Sequence, residues 1–231
     1  MAEIKERPIL FSSPMVRAIL EGQKTQTRRV VKPQPAPHES WDWSWPVLRP
    51  GVTPGTRICW RDDVRTPNLY PYCPYGKPGD RLWVRESHQR FDKGSCDQHV
   101  WYTAGLNDNA YVARTRPEID RDAPWPREVP GPAGGAVYGV PSIHMPRWAS
   151  RITLEIVSVR VERLTDITED DAIAEGLEWV APGKWAVDTS LAIIGDDPRA
   201  VYRELWEHIN GPGSWAANPW VWVVTFNRVQ P

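Results

Sequence analysis

The 231-residue chain is 41% hydrophobic and 25% charged, which excludes a wholly disordered protein. Its formal net charge of −1 excludes the strong basic excess that usually accompanies binding of a long duplex, so any nucleic-acid contact has to come from a local patch. The three cysteines form no CxxC pair, no apolar run approaches the roughly 20 residues of a membrane span, and the first residues are too charged for a signal peptide. We therefore expect a cytoplasmic protein without disulfides or membrane contact.

The first predicted elements are a strand, a short helix and a second strand. Residues 8–12 carry three consecutive apolar side chains and are predicted to be a short strand. Ser12 or Ser13 can cap the apolar helix that follows, and Gly22 is expected to end it. Residues 26–31 are then predicted to be extended.

Two long stretches rich in proline, tryptophan and glycine interrupt the chain, at 32–78 and 87–147. We interpret both as loop insertions in a single domain that spans residues 1–231. The second is expected to be irregular apart from a strand around 100–102. Between the two insertions, residues 81–86 are predicted to form a strand.

The first insertion carries three closely spaced tryptophans, Trp41, Trp43 and Trp45. Left in water, they would form an apolar patch of a size that soluble monomers avoid, so we expect them to pack on the body of the protein. A hairpin is also predicted in this insertion, near residues 57–61.

The clearest strand of the sequence covers residues 151–164. Apolar side chains alternate up to Ile156 and then continue on the opposite parity from Val157. Such a switch within one strand indicates a bulge or a strong bend, and small closed barrels require bends of this kind.

Two helices and a last strand follow. Thr168 is expected to cap a helix that Gly176 ends, and residues 197–209 are predicted to form another. Residues 220–226 are apolar on both faces, which indicates a central strand. Together these elements predict an α+β fold, a small β-barrel with flanking helices and the two long insertions.

The segment Gly22-Gln-Lys-Thr-Gln-Thr-Arg-Arg29 places Lys24, Thr25, Thr27 and two arginines directly after the end of a helix. One interpretation is a solvated strand edge whose basic residues prevent aggregation. The other is a binding or catalytic segment. Arg28 and Arg29 either hold a phosphate in a bidentate manner or decorate the surface.

The chain resembles the ASCH family, which belongs to the PUA-like folds. The resemblance lies in Gly22-x-Lys24-Thr25-x-Thr27-x-Arg29 after an apolar helix, in Lys77-Pro-Gly-Asp80-x-Leu82-x-Val84, and in Ala172-x-x-Glu175-Gly176 before a further helix and an aromatic strand. These motifs cover about half of the chain, and the insertions lie outside them. The overall pattern is similar to ASCH proteins of bacteriophages and prophages.

The resemblance implies a small PUA-like barrel with a cleft for a nucleoside or nucleotide. One branch of the family contains amidohydrolases that remove the acetyl group from N4-acetylcytidine, and their catalytic Lys, Thr and Glu match Lys24, Thr27 and Glu175. Other branches are linked to RNA binding or RNA cleavage. A reader of single-stranded RNA or of a modified base, and a ribonuclease, therefore stand beside the amidohydrolase as alternatives.

The residue types suit amide hydrolysis, which needs a nucleophile, a base and a stabiliser of the oxyanion. Lys24 would be the base, which requires burial to lower its pKa, Thr27 the nucleophile and Glu175 the acid or proton shuttle. Positions three apart on a regular strand point to opposite faces, so Lys24 and Thr27 converge only if the chain turns between them.

The remaining candidate residues concern binding. Arg28, Arg29 and Thr25 belong to the same segment, and Trp83 is expected either to stack on a base or to fill the core. Five scattered histidines show no ligand spacing, so we expect no metal, and nothing in the sequence indicates a cofactor. The sequence leaves the oligomeric state and the true substrate open.

Overall fold

The computed structural model describes residues 3–34, 73–92, 99–102, 136–187 and 192–229, and also four short strands at 46–48, 58–60, 111–113 and 128–130. The three tryptophans of the first insertion, Trp41, Trp43 and Trp45, lie outside the described residues.

The described part is a mixed α+β fold in which most of the regular structure is β-sheet. Its α-helices are α1 (Ser13–Leu20), α2 (Glu169–Ala174) and α3 (Pro198–Asn210). Its strands are, in chain order, β1 (Glu6–Leu10), β2 (Gln26–Val30), β3 (Pro46–Leu48), β4 (Ile58–Trp60), β5 (Arg81–Arg85), β6 (His88–Asp92), β7 (His99–Tyr102), β8 (Tyr111–Ala113), β9 (Glu128–Pro130), β10 (Ala136–Val140), β11 (Thr153–Arg163), β12 (Glu178–Ala181), β13 (Lys184–Ala186), β14 (Ile194–Gly195) and β15 (Trp220–Arg228). None of these helices is long and apolar enough to cross a membrane.

The main sheet contains five strands in the order β1-β5-β11-β15-β2. β1 runs parallel to β5, and the other neighbours are antiparallel. Within the described part of the chain, β1 and β2 are the two ends of this order, so the sheet is open there. The sequence predicted a closed barrel, whereas the described strands form an open sheet in which β1 and β2 are the edge strands.

The predicted change of parity in β11 is confirmed as a β-bulge. Ile156 pairs with Phe226 and Ser158 pairs with Thr225, the adjacent residue of β15, so Val157 has no opposite partner. Val157 is 49% exposed. The bulge allows the first part of β11 to pair with β5 while the whole strand follows β15.

β15 is the central strand that its apolar sequence predicted, because β11 and β2 pair with its two edges. Its alternate side chains enter two different cores. One face adds Trp222, Val224 and Phe226 to a cluster that includes residues of β1, α1, β5 and β11. The other face adds Val221 and Val223 to a cluster formed with α2 and α3.

The insertion at 87–147 contains more regular structure than the sequence predicted. Its strands form a second, antiparallel sheet in the order β8-β7-β6-β10-β9, so the interpretation as an irregular loop with a single strand is wrong. These strands are only three to five residues long, too short for an alternating pattern to stand out from the polar sequence around them. In the first insertion, β3 and β4 pair antiparallel, and only β4 lies within the range 57–61 where a hairpin was predicted.

Candidate functional site

The chain turns sharply between α1 and β2, just before Lys24. Gly22 has a φ of +80°, and the peptide N–H groups of Gln23 and Lys24 both donate to the carbonyl of Ala18, at 2.8 and 3.0 Å. β2 begins only at Gln26. Lys24 therefore precedes the regular strand, and its side chain enters the protein where α1, β2 and α2 meet.

Lys24 and Glu175 form a buried ion pair, although they are far apart in the sequence. The Lys24 ammonium donates to the Glu175 carboxylate at 2.8 Å and to the Glu175 backbone carbonyl at 2.6 Å. Lys24 is 2% exposed and Glu175 5%. A Cβ on Gly176, whose φ is +100°, would lie 3.1 Å from the Lys24 Cβ, so a glycine after Glu175 leaves room for the lysine.

The Glu175 carboxylate holds a second buried cation. Arg28 Nη1 donates to Glu175 Oε1 at 3.3 Å, and Arg28 Nη2 contacts both Glu162 and Asp171, the latter at 3.0 Å. The Arg28 side chain is fully buried. Arg28 is therefore an internal group and not the surface decoration that one interpretation expected, and its role in binding stays a prediction.

The ion pairs continue across the sheet to Arg160. Its guanidinium donates to Glu162 at 2.9 Å and to Asp171 at 2.8 Å, and Gln26 links it to Asp171 through hydrogen bonds of 2.9 and 3.1 Å. We call the whole group the charge cluster. It contains three cations and three carboxylates, and so it is internally neutral: Lys24, Arg28, Arg160, Glu162, Asp171 and Glu175.

Burial and pairing perturb three titratable groups of this region. Burial lowers the pKa of Lys24 below its usual value, against the raising effect of the Glu175 charge. Burial raises the pKa of Asp171, but the hydrogen bond from Gln26 and the charges of Arg28 and Arg160 outweigh it, and the pKa is lowered to about 2. Burial and the Glu175 charge raise the pKa of Tyr202.

A small, open pocket with a cavity volume of about 70 Å³ lies between β2, α1 and α3. Thr27 and Glu175 both line it, whereas Lys24 lies behind Glu175 and is not part of the lining. The full set of lining residues is Met15, Thr27, Arg28, Arg29, Val30, Glu175, Tyr202, Leu205, Trp206, Ile209 and Asn210.

β2 lines this pocket with the edge of the strand that faces away from β15. The N–H of Val31 donates to the Trp220 carbonyl at 2.9 Å, which fixes the alternation of the antiparallel ladder. By that alternation, the peptide groups of Arg28 and Val30 point away from β15. No described strand pairs with this edge. The pocket therefore offers main-chain donors and acceptors as well as side chains.

The other predicted binding residues are placed differently. Arg29 lines the pocket, donates to the Leu10 carbonyl at 2.6 Å and lies over the Phe11 ring at 5.3 Å. Thr25 is exposed and uses its peptide N–H to bind the Ala174 carbonyl at 2.9 Å.

Trp83 does not join the residues around Thr27. It is buried in β5, and its ring is covered by the guanidinium of Arg85 at 4.7 Å. The core interpretation of this tryptophan is therefore the one that the structure supports.

The sequence missed residues that act together only in three dimensions. Arg160 and Glu162 alternate with apolar residues after the bulge of β11. This alternation indicates a strand with one polar face, and it could have identified both residues. Asp171 lies in the first turn of α2, where an acidic residue is common and does not by itself indicate a site. Tyr202 and Trp206 stand one helical turn apart on α3, at a spacing that also fits ordinary core packing.

Comparisons of the chain with protein-family models, with curated proteins and with solved structures returned no significant match. A function can therefore be proposed only from the chemistry of the pocket and of the charge cluster. The relevant groups are a buried lysine paired with a carboxylate, and a threonine that shares a pocket with this carboxylate.

Proposed function

We propose that the chain is an amidohydrolase of ASCH type, on a PUA-like fold, that removes an acyl group from N4 of a cytidine-type nucleoside. The observation that carries the proposal is the buried Lys24 amine, 2.8 Å from a Glu175 carboxylate that shares a pocket with Thr27. A buried lysine in contact with a carboxylate at a pocket is an arrangement that tunes an amine for proton transfer.

In the proposed reaction the Thr27 hydroxyl oxygen attacks the acyl carbonyl, and its proton passes to Lys24 by way of the Glu175 carboxylate, which shares the pocket with Thr27 and contacts the lysine amine. The peptide N–H of Arg28, on the open edge of β2, is a donor available to the developing oxyanion. The carbon–nitrogen bond then breaks, and Glu175 relays the proton to N4 of the leaving cytidine. Water attacks the resulting threonine ester and releases the carboxylic acid, which restores the Thr27 hydroxyl.

The lowered pKa of Lys24 has a consequence for the rate. A lysine acts as a base only in its neutral form, so burial increases the fraction of competent enzyme near neutral pH. We expect kcat/KM to rise with pH, with an apparent pKa below the 10.5 of a solvated lysine.

The test is incubation of the protein with N4-acetylcytidine and longer N4-acylcytidines, with mass spectrometry of the products. Thr27→Ala should lower kcat by at least about a hundredfold while nucleoside affinity changes little, because the lost interaction belongs to the transition state. Thr27→Ser should retain part of the rate. Thr165→Ala, in a turn outside the pocket, is the control and should leave the rate unchanged. No hydrolysis of any acylcytidine by the parent protein would end the proposal.

A second candidate is a binding module that holds a modified base and performs no chemistry. The observation that favours it is that the Lys24 ammonium is already engaged, since it donates twice to Glu175 and its side chain is buried. In that case Thr27→Ala should cost about one hydrogen bond of affinity, roughly 0.5–1.5 kcal/mol, with no turnover in either protein.

A further inference from the structure

We infer that the ligand of this pocket carries a phosphate, and that Arg29 and Trp206 bind it. The inference rests on the proposed nucleoside-binding role of the same pocket and names its substrate class as a cytidine nucleotide. Of the two arginines in the segment after α1, only one is available for such a contact.

Arg28 is not available, because its charge is already neutralised. It contacts three carboxylates, Glu162, Asp171 and Glu175, inside a cluster whose positive and negative charges are equal in number. An added phosphate near Arg28 would meet three carboxylates as well as the cation, and the local field would be unfavourable.

Arg29 is in the opposite situation. Within the described part of the chain no carboxylate lies in ion-pairing distance of Arg29, and its guanidinium donates to the neutral carbonyl of Leu10. Its Nε is buried and has no hydrogen-bond partner there. Contact with the Phe11 ring compensates the desolvation of the guanidinium only in part. A half-buried cation on a pocket wall without a counter-charge favours an anionic ligand.

Trp206 carries a second buried donor without a described partner. Its side chain comes from α3, lines the same pocket and is 5% exposed. The indole Nε1 has no hydrogen-bond partner among the described residues. An indole N–H can only donate, so the group that satisfies it has to be an acceptor. The acceptor oxygens of a phosphate suit both an indole donor and a guanidinium donor.

The experiment compares the affinities of the full-length protein for cytidine and for cytidine 5′-monophosphate by isothermal titration calorimetry. The parent should bind the nucleotide at least about tenfold more tightly, the effect of a charge-assisted hydrogen bond. Arg29→Gln should remove this preference and leave the affinity for cytidine within about twofold. Trp206→Phe should reduce the preference. Arg203→Gln, an exposed arginine on the same helix, is the matched control and should behave as the parent.

Equal affinities for cytidine and its monophosphate, or a preference that survives Arg29→Gln, would overturn the inference. Circular dichroism establishes that each variant is folded, and Arg29→Lys, which keeps the charge, should retain part of the preference if Arg29→Gln unfolds the protein. A single-stranded trinucleotide with an internal cytidine distinguishes a phosphodiester source from a monophosphate. Dependence on Arg29 for either ligand supports the inference, and dependence for neither contradicts it.

The outcomes separate this inference from the proposed reaction. If the protein hydrolyses acylcytidines but does not prefer the monophosphate over the nucleoside, the phosphate-site inference is contradicted and the amidohydrolase proposal is supported. An Arg29-dependent preference for the nucleotide without hydrolysis of any acylated nucleoside or nucleotide leaves the phosphate site and removes the amidohydrolase.

Discussion

At the scale of single residues, Glu175 is the group on which the site depends most. Its carboxylate contacts both Lys24 and Arg28, and the side chains of all three are nearly or fully buried. Glu175→Gln would keep the shape of the side chain and remove its charge, which leaves Lys24 as a buried cation without its partner. We expect a loss of about 3–5 kcal/mol in the free energy of unfolding, measured by urea denaturation.

Glu169 provides the control for this prediction, because it is exposed on α2, the helix that Glu175 caps. Glu169→Gln should change stability by less than about 0.5 kcal/mol. Combining Glu175→Gln with Lys24→Met should cost less than the sum of the two single changes, since the second removes the charge that the first leaves unpaired. Strict additivity would show that the two side chains are not energetically coupled.

Asp171 links the charge cluster to acid stability. Its pKa is lowered to about 2 in the folded protein, against about 3.9 in an unfolded chain. Because the folded-state pKa is the lower one, the stabilisation from Asp171 is present above about pH 4 and is lost as the pH falls toward 2.

Asp171→Asn should therefore lower the urea midpoint at pH 6 and flatten its decline between about pH 4 and pH 2. The exposed neighbour Asp170 gives the control, and Asp170→Asn should follow the parent curve. Parent and Asp171→Asn curves that stay parallel down to pH 2 would contradict the assignment.

The resemblance to the ASCH family selected Lys24, Thr27 and Glu175 as one site, and the structure brings Lys24 into contact with Glu175 and places Thr27 and Glu175 in one pocket. The resemblance and the local residue pattern did not separate the two adjacent arginines. Neighbouring residues of a strand point to opposite faces, so Arg28 enters the charge cluster while Arg29 lies over Phe11. Which face is charged depends on partners from β11 and α2, and the local sequence does not contain them.

At the scale of elements, the bulge in β11 allows the residues on both sides of it to bury their apolar side chains on the same face of the sheet. Ile156 and Val159 are both buried, an odd number of positions apart, and the extra residue Val157 absorbs the difference. Deleting Val157 would keep both flanking halves facing the same core. Deleting Val159 instead would turn Arg160 toward the core.

We therefore expect the Val157 deletion to fold with a moderate loss of stability, as the bend toward β5 is lost, and the Val159 deletion to fail to fold. Urea denaturation and the dispersion of amide signals in NMR spectra measure the two effects. Equal losses from both deletions would place the register shift elsewhere in the strand.

The helices were predicted more accurately, from the residues at their ends, than the strands of the second insertion were from their composition. Thr168 caps α2 by accepting from the Asp171 N–H at 3.1 Å, and Gly22 and Gly176 take the positive φ values expected where helices end. Capping is local chemistry and is visible in the sequence. The strands of the second sheet are held by pairing between distant short segments, for which no local residue is a marker.

At the scale of the whole molecule, the order of strands is the feature that the sequence did not predict. The apolar residues on both faces of β15 predicted its central position, but they did not predict which strands pair with it. β1 lies parallel to β5 across the first insertion, and β2 lies at the far end of the sheet from β1, although only α1 separates them in the chain. Such arrangements are decided by which faces bury each other, and they leave no local pattern.

The place of β15 also governs when the protein can fold during its synthesis. It lies between β2 and β11, yet it is translated after both, and the ribosome has passed Arg228 before the sheet can be completed. At ordinary translation rates β2 waits on the order of tens of seconds for its partner. Throughout that interval both edges of β2 are unpaired, and Lys24 lacks its ion-pair partner Glu175 until α2 has left the ribosome. The unpaired strand is therefore exposed to mispairing for most of the synthesis of the chain.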